Sequence, residues 1–341
     1  MRFRHLHAVL ALAALLLAAG CGKHRATIQE ARQLAEARNY DQALQVLQKG
    51  LREDPKSKDL LREQLALFLR TEQVTYAITS YRKLAEVSPD DDALRKALKH
   101  EDSVIRTTAA KALGLLKDAK SIDALITHAR DKEKSVRQAI VLALGDIKDK
   151  KALPVLTQAL ADEDWYVRAE AALALGKVGD AQAASKLFDL LNDSDSYVRQ
   201  NARKALQELA TEENKSAYAT ALQSTDPAIR TMAAVALANT GDARGVDALI
   251  EALERPEASD HMDVIRAVVK IKDPKTLPAL RKTLDSASAN VRALGILALG
   301  EMGDAASADR IKTLATDKSQ PGNVRTAALL ALGKLAGNAP R

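Results

Sequence analysis

Arginine is the residue type that recurs most regularly in this chain. It stands at positions 106, 137, 168, 199, 230 and 292, all on one register of 31 residues. The register skips only His261, and Arg325 falls two residues late. A guanidinium clamps a carboxylate or a phosphate through two parallel N–H bonds. A column of them would therefore make either an anion-binding stripe or an internal ladder that ties one part of the chain to the next. Carboxylates at a fixed distance before three of these arginines favour the ladder. Other chemistry is sparse. Cys21 is the sole cysteine, and outside the first twenty residues only His24, His100, His128 and His261 remain, without metal-ligand spacing. No phosphate-cradling glycine loop, G-x-S-x-G or H-E-x-x-H is present. The expectation is no catalytic residue, no metal and no cofactor.

The elements that position the arginines repeat with them. An aliphatic residue precedes each one (Ile105, Val136, Val167, Val198, Ile229, Val291, Val324), and Ala-Leu pairs follow in step at 112, 143, 174, 205, 236, 298 and 331. A fixed interval of this kind marks a stacked array of one supersecondary unit. Apolar spacings of three and four predict two helices per unit, the first over about 152–160 or 183–191 and the second over about 166–178. Acidic turns such as Asp162-Glu163-Asp164 supply N-caps, and Gly179, Gly241 and Gly303 suit left-handed C-caps.

The chain has 341 residues, 47% hydrophobic, 28% charged and 3% aromatic, with a formal charge of +6. The aromatic content is low, as befits helices packed through Ala and Leu. Charges of both signs are interspersed, which speaks against a nucleic-acid interface.

Residues 1–20 read as a leader: Arg2 and Arg4 form a basic start, followed by an apolar run over 8–19 that is too short to span a bilayer. Without those two arginines the charge falls from +6 to +4. Ala18-Ala19-Gly20-Cys21 resembles the lipobox of bacterial lipoproteins, in which the leader is removed and the cysteine is acylated. The resemblance implies lipidation at Cys21. With Gly22 rather than Asp after it, it also implies an extracytoplasmic position on the periplasmic face of the outer membrane. Residues 21–26 would be a tether. In residues 27–89, Tyr40, Ala43, Leu47 and Pro55 return 34 residues later as Val74, Ala77, Tyr81 and Pro89, an interval that resembles two tetratricopeptide repeats.

Residues 90–341 resemble HEAT repeats of the phycobilisome lyase type, whose pattern aliphatic-Arg-x-x-Ala-x-x-Ala-Leu-Gly-x-aliphatic is matched by Val167-Arg168…Ala171…Ala174-Leu175-Gly176…Val178. The resemblance implies an all-α, right-handed α-solenoid of antiparallel helix pairs. It also implies that an aspartate six residues before each arginine joins it in the ladder: Asp131 with Arg137, Asp162 with Arg168, Asp193 with Arg199. Ser224 and Ser286 take the aspartate place later, and the unit around 261 has Arg255 and His261, which should interrupt the ladder.

In that family the second helices line the concave side. Taking Val136, Ile140, Ala143, Leu144 and Ile147 as the buried stripe, positions 138, 141 and 142 and their equivalents face away. These include Ala172, Leu173, Arg203, Lys204, Ala234, Val235, Ile265, Arg266, Ile296 and Leu297, an expected apolar groove with cations at Arg203, Lys204 and Arg266. The cations are either partner-binding or merely solvated. Trp165, Tyr166 and Tyr197 form a second candidate, as interface anchors or as packing residues. The expected function is a lipid-anchored, non-catalytic scaffold that binds proteins or peptides of the cell envelope, with no nucleic acid. A bilin-lyase-like enzyme and a nucleic-acid-binding array are the alternatives.

Overall fold

The computed structural model describes residues 24–255 and 261–337. The leader and Cys21 lie outside the described residues. All regular elements among the described residues are helical, and the fold is an all-α solenoid of helix pairs. None of the helices is long and apolar enough to cross a membrane. The chain divides into two compact units after Ala159.

The first unit contains α1 (Arg25–Glu36), α2 (Tyr40–Glu53), α3 (Lys58–Arg70), α4 (Val74–Val87), α5 (Ala93–Ala97), α6 (Ser103–Leu116), α7 (Ile122–His128), α8 (Lys134–Ile147) and α9 (Leu153–Ala159). The second contains α10 (Trp165–Val178), α11 (Gln182–Asp189), α12 (Ser196–Glu208), α13 (Lys215–Ala221), α14 (Pro227–Asn239) and α15 (Val246–Glu254). It continues with α16 (His261–Ile271), α17 (Leu277–Lys282), α18 (Ala289–Glu301), α19 (Ala308–Thr316) and α20 (Gly322–Gly337). From α6 onward the even-numbered helices carry the arginine register.

Local chemistry sets the ends of these helices. Asp164 and Asp195 accept two backbone N–H bonds each at the starts of α10 and α12, and Asp226 accepts one at α14. Such caps satisfy donors that the first helical turn leaves open. Gly179 closes α10 at φ +82°, and Gly241 and Gly303 are left-handed at the corresponding places. In the earlier units Lys117 and Lys148 adopt the same left-handed conformation, which an L side chain enters only at a cost.

Neighbouring arginine-bearing helices pack through one small-residue column. A Cβ added at Gly114 would lie 2.6 Å from the Ala143 Cα, one at Gly176 would lie 2.9 Å from the Ala205 Cα, and one at Gly300 would lie 2.8 Å from the Ala331 Cα. Only glycine permits that approach of backbone to backbone. Such close packing leaves little of these helices exposed. Val141, Ala172, Ala234, Val235, Ile265 and Ile296 are all buried. The expected apolar groove along these positions is therefore absent: neighbouring helices cover the aliphatic side chains, and among the expected groove residues only cations such as Arg203, Lys204 and Arg266 are fully exposed.

Candidate functional site: a polar groove beside an aromatic ledge

The arginines make two sets of bonds. Within its own repeat, each donates Nη1 to the carbonyls six and five residues earlier: Arg137 to Asp131 and Lys132, Arg168 to Asp162 and Glu163, Arg199 to Asp193 and Ser194, Arg230 to Ser224 and Thr225. These carbonyls lie in the turn between paired helices, where no helical N–H reaches them. The opposite edge of the guanidinium turns to the aspartate of the following repeat. Arg106 forks onto Asp131 at 2.8 and 2.9 Å, and Arg168 forks onto Asp193 at 2.8 and 2.9 Å. So the aspartate six residues before an arginine gives that arginine its backbone carbonyl and gives its carboxylate to the arginine of the repeat before. The hydrogen bond from Arg168 holds the Asp193 carboxyl below its ordinary range, against the opposing effect of burial. His261, in place of an arginine, is buried and bonds to the Ala252 carbonyl at 3.1 Å, while Arg255 donates to the Thr231 hydroxyl at 2.8 Å.

The aromatic candidates come together as one cluster. Tyr166 and Tyr197, one repeat apart at the starts of α10 and α12, stack with ring centroids 6.4 Å apart and planes 6° from parallel. Trp165 stands edge-on to both, at 5.6 and 5.7 Å. Edge-to-face contacts of this kind suit the ring quadrupoles. Trp165 is 45% and Tyr197 41% exposed, so the cluster is a ledge open to solvent. Tyr166 is more enclosed, and burial, with Glu170 beside it, raises its phenol.

Tyr197 also borders a groove of about 500 Å³ between α12 and α14. Gln200, Asn201, Arg203, Lys204 and Gln207 form its α12 wall, and Met232 and Val235 contribute from α14, with Asp263 of α16 beyond. The groove lies where α12 departs from the small-residue column. Gln207 stands one repeat after Gly176, where a glycine would admit Ala236 of α14. The carboxylate tie is missing from the same seam: Ser224 occupies the aspartate place, and Asn192 reaches across to Asp226 at 2.5 Å. Asn201 is 6% exposed, yet its Nδ2 has no hydrogen-bond partner. An unmet buried donor costs about 1–3 kcal/mol.

Of the predicted cations, Arg203 and Lys204 line the groove across from Asp263, and among the described residues neither forms an ion pair. Arg266 does not line it; its guanidinium holds Asp263 at 3.1 Å. Reading the sequence missed Asn201 and Gln207. The missing glycine at 207 was the available signal. A second hollow of about 300 Å³ lies in the first unit among Ala31, Ala35, Ala66, Ala93 and Ala97 of α1, α3 and α5. Two of the arginines that line it are paired, Arg32 with Glu63 at 2.7 Å and Arg62 with Asp91 at 2.5 Å. Among the described residues no group of His, Cys, Asp and Glu could hold a metal ion.

This chain is similar to several solved structures and to one family of sequence repeats. An engineered protein of solved structure is 21% identical over 90% of both chains, with a TM-score of 0.44. The Escherichia coli protein YibA is 24% identical over 72% of this chain and 92% of its own, TM-score 0.45. The complex of CpcE and CpcF of phycocyanin lyase from Nostoc is 18% identical over 72% and 94%, TM-score 0.36. No curated protein matches. The sequence profile of HEAT repeats matches residues 63–139, 124–207, 185–262, 219–294 and 262–333. The first match starts inside the stretch read as tetratricopeptide-like. Spanning well over half of the residues, these matches place the chain in the HEAT-repeat family.

Proposed function

We propose that this protein is a non-catalytic scaffold of the cell envelope, held on a membrane by a lipid on Cys21, that binds other proteins through its second unit. The observation that carries the binding half is the continuity of the exposed Trp165–Tyr166–Tyr197 ledge with a groove whose two cations lack carboxylate partners. Tryptophan, tyrosine and arginine are the side chains most enriched at protein interfaces. The lipid half is supported by the leader pattern and by Cys21 directly after Ala18-Ala19-Gly20. Residues 27–89, which we read as two tetratricopeptide-like repeats, would stand next to the anchor.

Metabolic labelling with palmitate tests the anchor. Wild-type chain should carry the label and fractionate with membranes, and Cys21→Ala should lose both. Label-free wild-type protein in the soluble fraction would end the anchor reading. For the scaffold, cross-linking in intact envelopes should yield discrete protein adducts. Their absence, or a spectral shift when a bilin is added to the purified chain, would replace it.

A further inference from the structure

Resting on the scaffold reading, we infer that the Trp165–Tyr166–Tyr197 ledge and the α12–α14 groove beside it take a proline-rich segment of a partner protein, held as a polyproline II helix. Proline rings lie on the aromatic side chains, and main-chain carbonyls of the segment accept from exposed donors of the ledge and of α12.

The exposed hydrogen-bonding groups decide the class of occupant. The Trp165 indole is 45% exposed, and its N–H has no partner among the described residues. That group donates and cannot accept, and the same holds for the Arg203 guanidinium and the Lys204 ammonium. Both of these side chains are exposed in the groove and form no ion pair among the described residues. Gln200 and Gln207, exposed on the same face of α12, can donate as well. An ordinary extended chain brings an N–H with every carbonyl, and its donors would meet donors here. A proline residue keeps the carbonyl and has no N–H. A helical partner fails for a different reason, since its own N–H groups occupy its carbonyls. The polyproline II helix has no internal hydrogen bonds, and proline fixes its shape before binding. Aromatic-lined surfaces are where such segments dock.

Charge and dimensions agree. The charged lining residues are Arg203 and Lys204 with Asp263 across from them, two cations less one carboxylate, and a net charge of +1 singles out neither an acidic nor a basic segment. A nucleic-acid strand needs a run of cations that tracks its phosphates. From Tyr197 to Gln207 α12 advances about 15 Å, which about five residues of polyproline II cover. The ring centroids of the ledge lie 5.6, 5.7 and 6.4 Å apart. Two residues of polyproline II advance about 6 Å, so neighbouring rings meet neighbouring turns of the segment.

The test is calorimetric titration of the purified chain with three probes of similar length: capped decaproline, a capped Gly–Ser peptide and an oligothymidylate. Decaproline should bind, and the Gly–Ser peptide should bind about tenfold more weakly or not at all, because it brings donors and pays for its own ordering. Decaproline affinity should stay level as salt rises, since the probe carries no charge. Tyr197→Ala, at an exposed ring, should stay folded by circular dichroism and weaken binding about tenfold, while Tyr197→Phe, which keeps the ring, should bind as the wild type does. Trp165→Phe, which keeps a ring and removes the N–H, should lose about fivefold, as for one hydrogen bond. No heat with decaproline, equal binding of the Gly–Ser peptide, tighter binding of the oligothymidylate, or decaproline affinity unchanged in both Tyr197→Ala and Trp165→Phe would each overturn the assignment. Envelope cross-links that survive Tyr197→Ala would remove the ledge and leave the scaffold; no cross-link from wild-type chain would remove the scaffold itself.

Discussion

The seam between α10 and α12 and the seam between α12 and α14 share a helix and differ in two columns of the repeat. In the first, Gly176 lets the Ala205 backbone approach and Arg168 forks onto Asp193. In the second, Gln207 stands where that glycine would be, Ser224 where that aspartate would be, and a groove of about 500 Å³ opens. A repeat protein can thus form a recess without adding a loop or a domain. Here the recess coincides with the absence of both the small residue and the carboxylate that close the preceding seam, and each repeat contacts only its neighbours.

The largest effect should come from forcing the closed seam open. Gly176→Gln places a side chain where even a Cβ would lie 2.9 Å from the Ala205 backbone, so about 2–3 kcal/mol of stability should be lost through overpacking. Gln207→Ala, on the open side, should change stability by no more than about 0.5 kcal/mol. Thermal denaturation of the pair checks this, and equal melting temperatures would dissolve the distinction. Next in size is the arginine contrast. Arg168→Ala removes a sheltered fork and the bonds to two turn carbonyls, costing about 2–3 kcal/mol. Arg199→Ala removes the carbonyl bonds without a fork and should cost about 1 kcal/mol. Urea midpoints that fall by the same amount would show that the carboxylate contributes nothing.

The pH dependence of the closed seam follows from Asp193. Its carboxyl is held below its ordinary range in the folded chain, chiefly by the Arg168 hydrogen bond. A group whose folded pKa is depressed stabilises fully above its unfolded pKa of about 3.9 and loses that contribution as pH falls through the folded value. Asp193→Asn should therefore cost stability at neutral pH and flatten the decline on acidification; an unaltered acid profile would assign that decline to other carboxylates. Trp165→Ala should cost about 1 kcal/mol, since the ring is nearly half exposed and makes two edge-on contacts. A drop of several kcal/mol would recast the ledge as core.

Much of the fold was legible because the repeat is written in residues that geometry cannot exchange. Arg168 must reach two turn carbonyls and the next aspartate, so its position is fixed, and Gly179 takes without cost the left-handed turn that Lys148 makes one repeat earlier. The direction of the ladder was not legible, because one aspartate serves two arginines through different atoms. The groove was misplaced for a related reason. A single-helix wheel assumes one buried stripe, whereas α10 and α14 are apolar nearly all round, and Ala172 and Ala234 are covered by neighbours that the wheel does not contain. Arg203 and Lys204 were found by charge alone. Asn201 was not, since an asparagine on a helix carries no signal until its lack of a partner is seen in three dimensions.

The ledge has a practical consequence. Trp165 is the only tryptophan in the chain, and it stands edge-on to Tyr197, whose ring also borders the groove. The indole emission of the whole protein therefore originates beside that recess, so the molecule carries an intrinsic optical reporter there: a partner that covers the ledge would shift the emission to the blue, with no dye attached.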